Sequence, residues 1–198
     1  MSRKIETLVG IKRLRPSLTR LVGKHDLVGA EIGTFEGINA LNMFICLDIK
    51  KLYIIDPYEG PYKCGDDLFY LPQFIKDLAH YRLEEFDDRV VWLEMKSDEA
   101  SMHVIDSLDF IYIDGDHTYN GVMNDLKNFY PKMKPNSIMC GHDFEPGAYD
   151  PKNKLPSSGN GVKEAIHDFF SDVVSHEISV MFKADPTDYR TYDWWVVL

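Results

Sequence analysis

Val28-Gly29-Ala30-Glu31-Ile32-Gly33-Thr34-Phe35-Glu36-Gly37 is the stretch of this 198-residue chain whose reading decides the fold. A strand-like run from Leu27 to Ile32 ends in a turn with two glycines, and Ile38, Leu41 and Ile45 then recur at helical spacing. Strand, tight turn and helix open a parallel α/β sheet. The same alternation continues downstream. Strands are expected at Leu52–Ile55, Val90–Leu93, Phe110–Ile113 and Ser137–Cys140. Helices are expected around Leu71, Phe74, Ile75 and Leu78, from Glu99 to Ile105, from Tyr119 to Tyr130 before Pro131, and around Val162, Ala165, Ile166, Phe169 and Phe170. Two strand-like segments, Glu177–Phe182 and Trp194–Leu198, have no helix between them and are expected to pair antiparallel.

At this length, with 44% hydrophobic and 27% charged residues, one domain at 25–198 is expected behind a helical leader at 1–24, whose Ile5, Leu8, Val9 and Ile11 form an apolar stripe. That leader has no continuous apolar core, so it does not read as a secretory signal. A net charge of −10 disfavours nucleic acid and anionic membranes as partners, and no apolar run approaches a membrane span. Three cysteines without Cys-x-x-Cys spacing argue against a zinc knuckle or disulfide framework and suit a reducing cytoplasm. Trp194 and Trp195 are expected in the core, and a homo-oligomer contact through them stays open. The polar stretches 58–67 and 141–160 are the segments available to cover a substrate.

In an open parallel sheet, ligands gather beyond the carboxyl ends of the strands. Glu31 near the end of the first strand, Gly33, Thr34, Phe35 and Gly37 in the turn, and Asp56 after the second strand make a nucleoside site there, with Asp56 placed to accept from ribose hydroxyls. The turn departs from the dinucleotide pattern Gly-x-Gly-x-x-Gly because Glu31 stands at the first glycine position. That carboxylate disfavours a pyrophosphate and suits an ammonium-bearing nucleoside such as S-adenosylmethionine. A nicotinamide-dependent oxidoreductase is correspondingly disfavoured.

A second cluster follows the fourth and fifth strands: Asp114-Gly115-Asp116-His117 and Gly141-His142-Asp143. Asp114 and Asp143, with His142 as a third ligand, would suit a divalent metal, Mg2+ or Mn2+; the histidine favours Mn2+, Fe2+ or Zn2+ over Mg2+. A bound metal lowers the pKa of an acceptor hydroxyl, and His117 could then take its proton.

Residues Leu27 to Phe144 resemble the class I S-adenosylmethionine-dependent methyltransferases, and within them the metal-dependent small-molecule O-methyltransferases of the macrolide-sugar branch. The resemblance rests on the glycine turn, on Ile54-Ile55-Asp56-Pro57-Tyr58, and above all on the block from Ile111 through Asp114-Gly115-Asp116-His117-Thr118-Tyr119 to His142-Asp143. It implies a Rossmann-like doubly wound sheet of seven strands, the last antiparallel, with helices on both faces. It also implies S-adenosylmethionine as cofactor, Glu31 and Gly33 beside the methionine moiety, Asp56 on the ribose, Tyr58 near the adenosine, and Ser97 and Asp98 at the adenine. Asp114 and Asp143 match metal positions, with Asp114 also beside the cofactor, and His117 matches the base. A carboxylate is usual in the family where His142 stands. The activity expected is O-methylation of a small-molecule hydroxyl; the alternative is a nucleoside-binding partner protein of this fold without catalysis.

Overall fold

The computed structural model describes residues 14–60, 62–64, 68–144, 161–170, 178–182 and 192–198. A seven-stranded sheet is built from β1 (Leu27–Ile32), β2 (Ile49–Ile55), β5 (Val90–Leu93), β6 (Leu108–Ile113), β7 (Met133–Gly141), β8 (Ile178–Phe182) and β9 (Tyr192–Val197). Its order is β5-β2-β1-β6-β7-β9-β8, and β9 runs in the opposite direction to the other six strands. The expected closing pair is therefore present, with β9 inserted between β7 and β8. Helices α1 (Ile38–Cys46), α2 (Pro72–Leu83), α3 (Ser97–His103), α4 (Tyr119–Phe129) and α5 (Val162–Phe170) connect the strands.

Side chains alternate across each strand, so a parallel sheet covered on both sides needs apolar residues at consecutive positions. In β6, Ile111 and Ile113 join Ala30, Ile32, Met139 and Trp194 beneath α4 and α5, whereas Phe110 and Tyr112 face Met43, Phe44 and Trp195 on the side of α1. Both tryptophans are buried. On that second side a short 3-10 turn, Pro16–Leu21, drives Leu18 and Leu21 into the core. It is locked by Asp193 of β9, which accepts hydrogen bonds from the Ser17 hydroxyl at 2.9 Å and the Tyr112 hydroxyl at 3.2 Å. The stripe from Ile5 to Ile11 lies outside the described residues.

Three local expectations change. Helix α2 buries Ile75, Ala79 and Leu83, while Leu71 is 74% exposed and Phe74 53% exposed. Leu71 is the residue before the helix rather than part of its buried face. Strand β7 begins at Met133 and runs through Pro135. It does so through a register shift, with Leu108 opposite Met133 but Phe110 opposite Ile138, where Asn136 takes a left-handed φ of +62°. The polar stretch after Tyr58 carries a two-stranded ribbon, β3 (Tyr62–Cys64) with β4 (Leu68–Tyr70). Most of the stretch 141–160 lies outside the described residues.

Candidate functional site

Register fixes the site. Ile55, Ile32, Ile113 and Gly141 are successive partners across β2, β1, β6 and β7. The residues that follow them, Asp56, Gly33, Asp114 and His142, therefore leave the sheet side by side along one edge. Strand order reverses between β1 and β6, which opens a crevice at that edge. Gly33 is demanded twice over at its centre: its φ is +82°, and a Cβ there would sit 2.0 Å from the carbonyl oxygen of Asp114. Gly33→Ala is accordingly expected to cost roughly 3 kcal/mol or more, read as a shifted denaturation midpoint; an unchanged midpoint would mean the two turns are not packed this way.

Among the described residues, three of the five non-glycine positions with left-handed backbone, Phe35, Tyr58 and Asp143, lie around the crevice. The first two are explained by Asp56. Its Oδ2 accepts from the Phe35 amide at 2.8 Å and its Oδ1 from the Tyr58 amide at 2.9 Å, so the turns after β1 and β2 are tied to one buried carboxylate. The glycine turn is held from outside by Arg82 of α2, which pairs with the Glu36 carboxylate at 3.0 Å and donates to its carbonyl. Glu31 is 1% exposed. Its Oε1 accepts from Asn39 Nδ2 at 2.8 Å, and its buried Oε2 makes no hydrogen bond of ordinary length. Burial pushes the Glu31 carboxyl up to about 8, a shift that the Asn39 hydrogen bond and the neighbouring Thr34 hydroxyl reduce and the Asp114 charge increases.

A cleft of about 730 Å³ opens over this edge. Gly33, Phe35, Asp56, Ser97, Asp98 and Asp114 line it, so residues from four separate loops meet at one volume. Glu31, Thr34 and Gly37 are not among the lining residues. Tyr58 faces an adjoining hollow with Pro57, Leu71 and Lys76.

Next to the cleft stands the second cluster. His117 sits between two carboxylates, with Nε2 3.2 Å from Asp114 Oδ1 and Nδ1 2.9 Å from Asp143 Oδ2. His142 Nδ1 lies 3.0 Å from Asp143 Oδ1 and 3.8 Å from Asp114 Oδ1. Hydrogen bonds from His117 to Asp114 and Asp143 push the imidazole up to about 10, outweighing burial, so it carries a proton at neutral pH. Burial alone would raise the Asp143 carboxyl, but its bonds from His117 and His142 hold it well below the ordinary range.

Asp114, His117 and Asp143 each offer one donor atom, and these atoms lie within 4.8 Å of one another. Oxygen and imidazole donors at that spacing fit a divalent ion. Of the expected ligands, Asp114 and Asp143 belong to this group. His142 borders it and has a buried Nε2 without a hydrogen-bond partner, while His117 is brought in as a donor.

All the residues expected from the sequence thus fall at one end of the sheet. Two that shape the site were not expected. Asn39 orients Glu31, and Asp125 of α4, 2% exposed, lines the cleft and accepts a hydrogen bond from Ser97 Oγ. The signal for Asp125 was available: it falls three residues after Val122 and four before Phe129, on the buried stripe of its helix.

A doubly wound sheet with a cleft at its switch point and acidic tips on β1, β2 and β6 is the architecture of the class I methyltransferase fold. The chain belongs to the methyltransferase-domain family, whose model matches residues 30–144, more than half of its length. It is 29% identical over 142 residues to the uncharacterized protein R132 of Acanthamoeba polyphaga mimivirus, covering 69% of this chain and spanning 60% of that protein. Among solved structures it is similar to the O-methyltransferase from Bacillus cereus in complex with S-adenosylhomocysteine, at 16% identity and TM-score 0.65 over 86% of this chain and 74% of that one. The O-methyltransferase TomG from Streptomyces achromogenes, in complex with S-adenosylmethionine, gives 14% identity and TM-score 0.65 over 86% and 72%. An rRNA methylase from Streptococcus thermophilus gives 7% identity and TM-score 0.62 over 91% of both chains. At these identities the structures speak for the fold.

Proposed function

We propose that this methyltransferase transfers the methyl group of S-adenosylmethionine to a hydroxyl of a small-molecule acceptor, with a divalent metal held by Asp114 and Asp143. The observation that carries the reading is the sharing of Asp114: the same residue lines the nucleoside cleft and joins the three-donor cluster. The cleft is lined by Asp56, Glu59, Asp98, Asp114, Asp116 and Asp125 against Lys96, which pairs with Glu59 at 3.7 Å. An acidic lining attracts a sulfonium cation and repels a pyrophosphate or an RNA backbone, which supports a small acceptor over nucleic acid or a nicotinamide cofactor.

Methyl transfer is displacement at a carbon already activated by positive sulfur, so the protein's task is alignment and exclusion of water. A metal at the cluster would supply Lewis acidity, lowering the pKa of the acceptor hydroxyl. His117 is charged while Asp114 and Asp143 both pair with it. With Asp114 and Asp143 taken by a metal and the imidazole left outside its shell, His117 would lose both acidic partners and could accept the hydroxyl proton beside the cleft. His142 Nδ1 steadies Asp143 from the other side. No described helix is long and apolar enough to cross a membrane. We place the protein in the cytoplasm on the strength of its three cysteines, odd in number and without Cys-x-x-Cys spacing.

Calorimetry with S-adenosylhomocysteine tests the cleft: Asp56→Ala should weaken binding roughly 10- to 100-fold, through loss of the ribose acceptor together with the two amide bonds that hold the Phe35 and Tyr58 turns. Turnover on hydroxylated acceptors tests the chemistry. Activity should be lost on chelation and return with Mn2+ or Mg2+; equal turnover before and after chelation rejects the metal. Tight nucleoside binding with no turnover on any acceptor would favour a non-catalytic partner protein.

A further inference from the structure

The far end of the site holds a cation that the methyl-transfer reading does not use. Along the sheet edge the tips run in the order Asp56 on β2, Gly33 on β1, Asp114 on β6 and His142 on β7. The cleft lies over the first three, and the cluster of Asp114, His117 and Asp143 stands where β6 and β7 end. β9 comes next. Gly141 pairs with Trp194, so the antiparallel register sets His142 beside Asp193. Arg15 reaches Asp193 from the residue ahead of the 3-10 turn, with Nη1 3.9 Å from Oδ1. That distance is too long for a hydrogen bond. Both oxygens of Asp193 are engaged elsewhere, Oδ2 by the Ser17 hydroxyl and amide and Oδ1 by the Tyr112 hydroxyl. The guanidinium, on a side chain only 26% exposed, has no hydrogen-bond acceptor of its own among the described residues. It is nevertheless held in place, because the Arg15 carbonyl accepts from the Leu18 amide at 3.0 Å and Ser17 is fastened to Asp193. Burial works against its charge, while Tyr112, Asp193, Asp114 and Glu31 act in its favour. A guanidinium so largely covered costs free energy unless its N–H groups find oxygen.

We propose that Arg15 is the subsite for a carboxylate on the acceptor, which makes the substrate a hydroxy acid with its hydroxyl at the cluster and its carboxylate over β9. The inference rests on the hydroxyl-transfer reading of the site. A nucleoside in the cleft occupies the edge at β2, β1 and β6, so an acceptor that reaches the cluster extends over β7 and β9. Strands β6 and β9 are two spacings apart in the sheet, about 10 Å, which sets the span from hydroxyl to carboxylate at about 5 to 10 Å. The planar fork of an arginine meets a carboxylate through two parallel N–H···O bonds. A single negative charge suits this place better than the roughly two charges of a phosphate monoester, because Asp193 and Asp114 already act on the same guanidinium.

The test uses a ladder of hydroxyphenyl and ω-hydroxyalkyl carboxylic acids covering that span, each matched with its primary amide and with the phosphate monoester on the same skeleton. Methyl transfer is measured with Mn2+ present, and binding to the protein loaded with S-adenosylhomocysteine is measured by calorimetry. For the members that fit, wild type should favour the acid over its amide by roughly 10- to 100-fold in kcat/KM and in Kd. Arg15→Gln should bring that ratio close to one, chiefly by weakening the acid, and Arg15→Lys should keep part of it. A residue that merely braced the 3-10 turn would move the denaturation midpoint and leave the ratio alone, so an Arg15→Gln protein with the wild-type ratio overturns the subsite. Should Arg15→Gln not fold, the ratios of wild type and Arg15→Lys decide: a lysine variant equal to wild type overturns the bidentate fork. A wild-type ratio near one for every pair, or a preference for the phosphate over the carboxylate, overturns the assignment alone. Acids bound in preference to amides but never methylated support the subsite and overturn hydroxyl transfer. Binding of no pair overturns the subsite, and the S-adenosylhomocysteine titration shows separately whether the cofactor cleft falls with it.

Discussion

Asp143→Ala should lower methyl transfer by about 10²- to 10⁴-fold while leaving S-adenosylhomocysteine affinity nearly unchanged. Asp143 lies outside the lining of the nucleoside cleft but faces both histidines, at 2.9 Å from His117 and 3.0 Å from His142. Its removal takes one donor from the three-atom cluster and one of the two carboxylates that hold His117 in place. A fall confined to turnover, with KM for the cofactor preserved, is the signature of a group acting on the reacting atoms. Wild-type turnover in the alanine variant would mean that the cluster is a salt-bridge network and nothing more. Asp114→Ala is a less clean probe, because Asp114 also lines the cleft.

Glu31→Gln should stabilise the protein at neutral and alkaline pH and weaken cofactor binding in the same step. The carboxyl is buried and its pKa is pushed up to about 8 from an ordinary 4.5, a difference of about 5 kcal/mol between protonation states at the outside. The sign follows from proton uptake. Between about 4.5 and about 8 the folded protein binds a proton that the unfolded chain has released, so stability is full below the first value and falls until the second. Glutamine at this position should remove that fall, seen as denaturation midpoints that converge below pH 4.5 and separate above it. An ammonium group of a bound cofactor would favour the ionised form. Cofactor uptake at pH 7 should thus release about one proton in wild type and none in the variant, measurable as a calorimetric heat that depends on the buffer. Proton release unaltered by the substitution would place the ammonium elsewhere.

The sheet and the tips of its strands were readable because each carries its own signal. Apolar runs covered on both faces show as Phe110-Ile111-Tyr112-Ile113, and a run broken by an acid or glycine, as at Asp56, Gly33 and Asp114, marks where the chain leaves the sheet. The expected meeting of these tips depended only on parallel strands in register, which the pairing of Ile55, Ile32, Ile113 and Gly141 provides. What escaped notice belongs to context rather than to period. The β3–β4 ribbon is too short to show alternation. The inward face of α2 is built partly from Ala79, which packs against Gly37 and carries little hydrophobic weight of its own. Asn39 and Asp193 read as ordinary polar residues until their surroundings are known, whereas Asp125 stands on the buried stripe of its helix. Buried acids lose their usual meaning only when the groups around them are seen.

The lock between Ser17 and Asp193 joins positions 176 residues apart, and it carries a consequence for how the molecule is made. Leu18 and Leu21 share a core cluster with Ile138 and Cys140 of β7 and with Trp195 of β9, so the seat of the early segment is complete only once β9 lies between β7 and β8. Loop closure over such a span is entropically expensive and comes late. A nascent chain would therefore assemble β1, β2 and β6 first and hold Leu18 and Leu21 in water until then, which makes that interval the one in which a chaperone has something to hold.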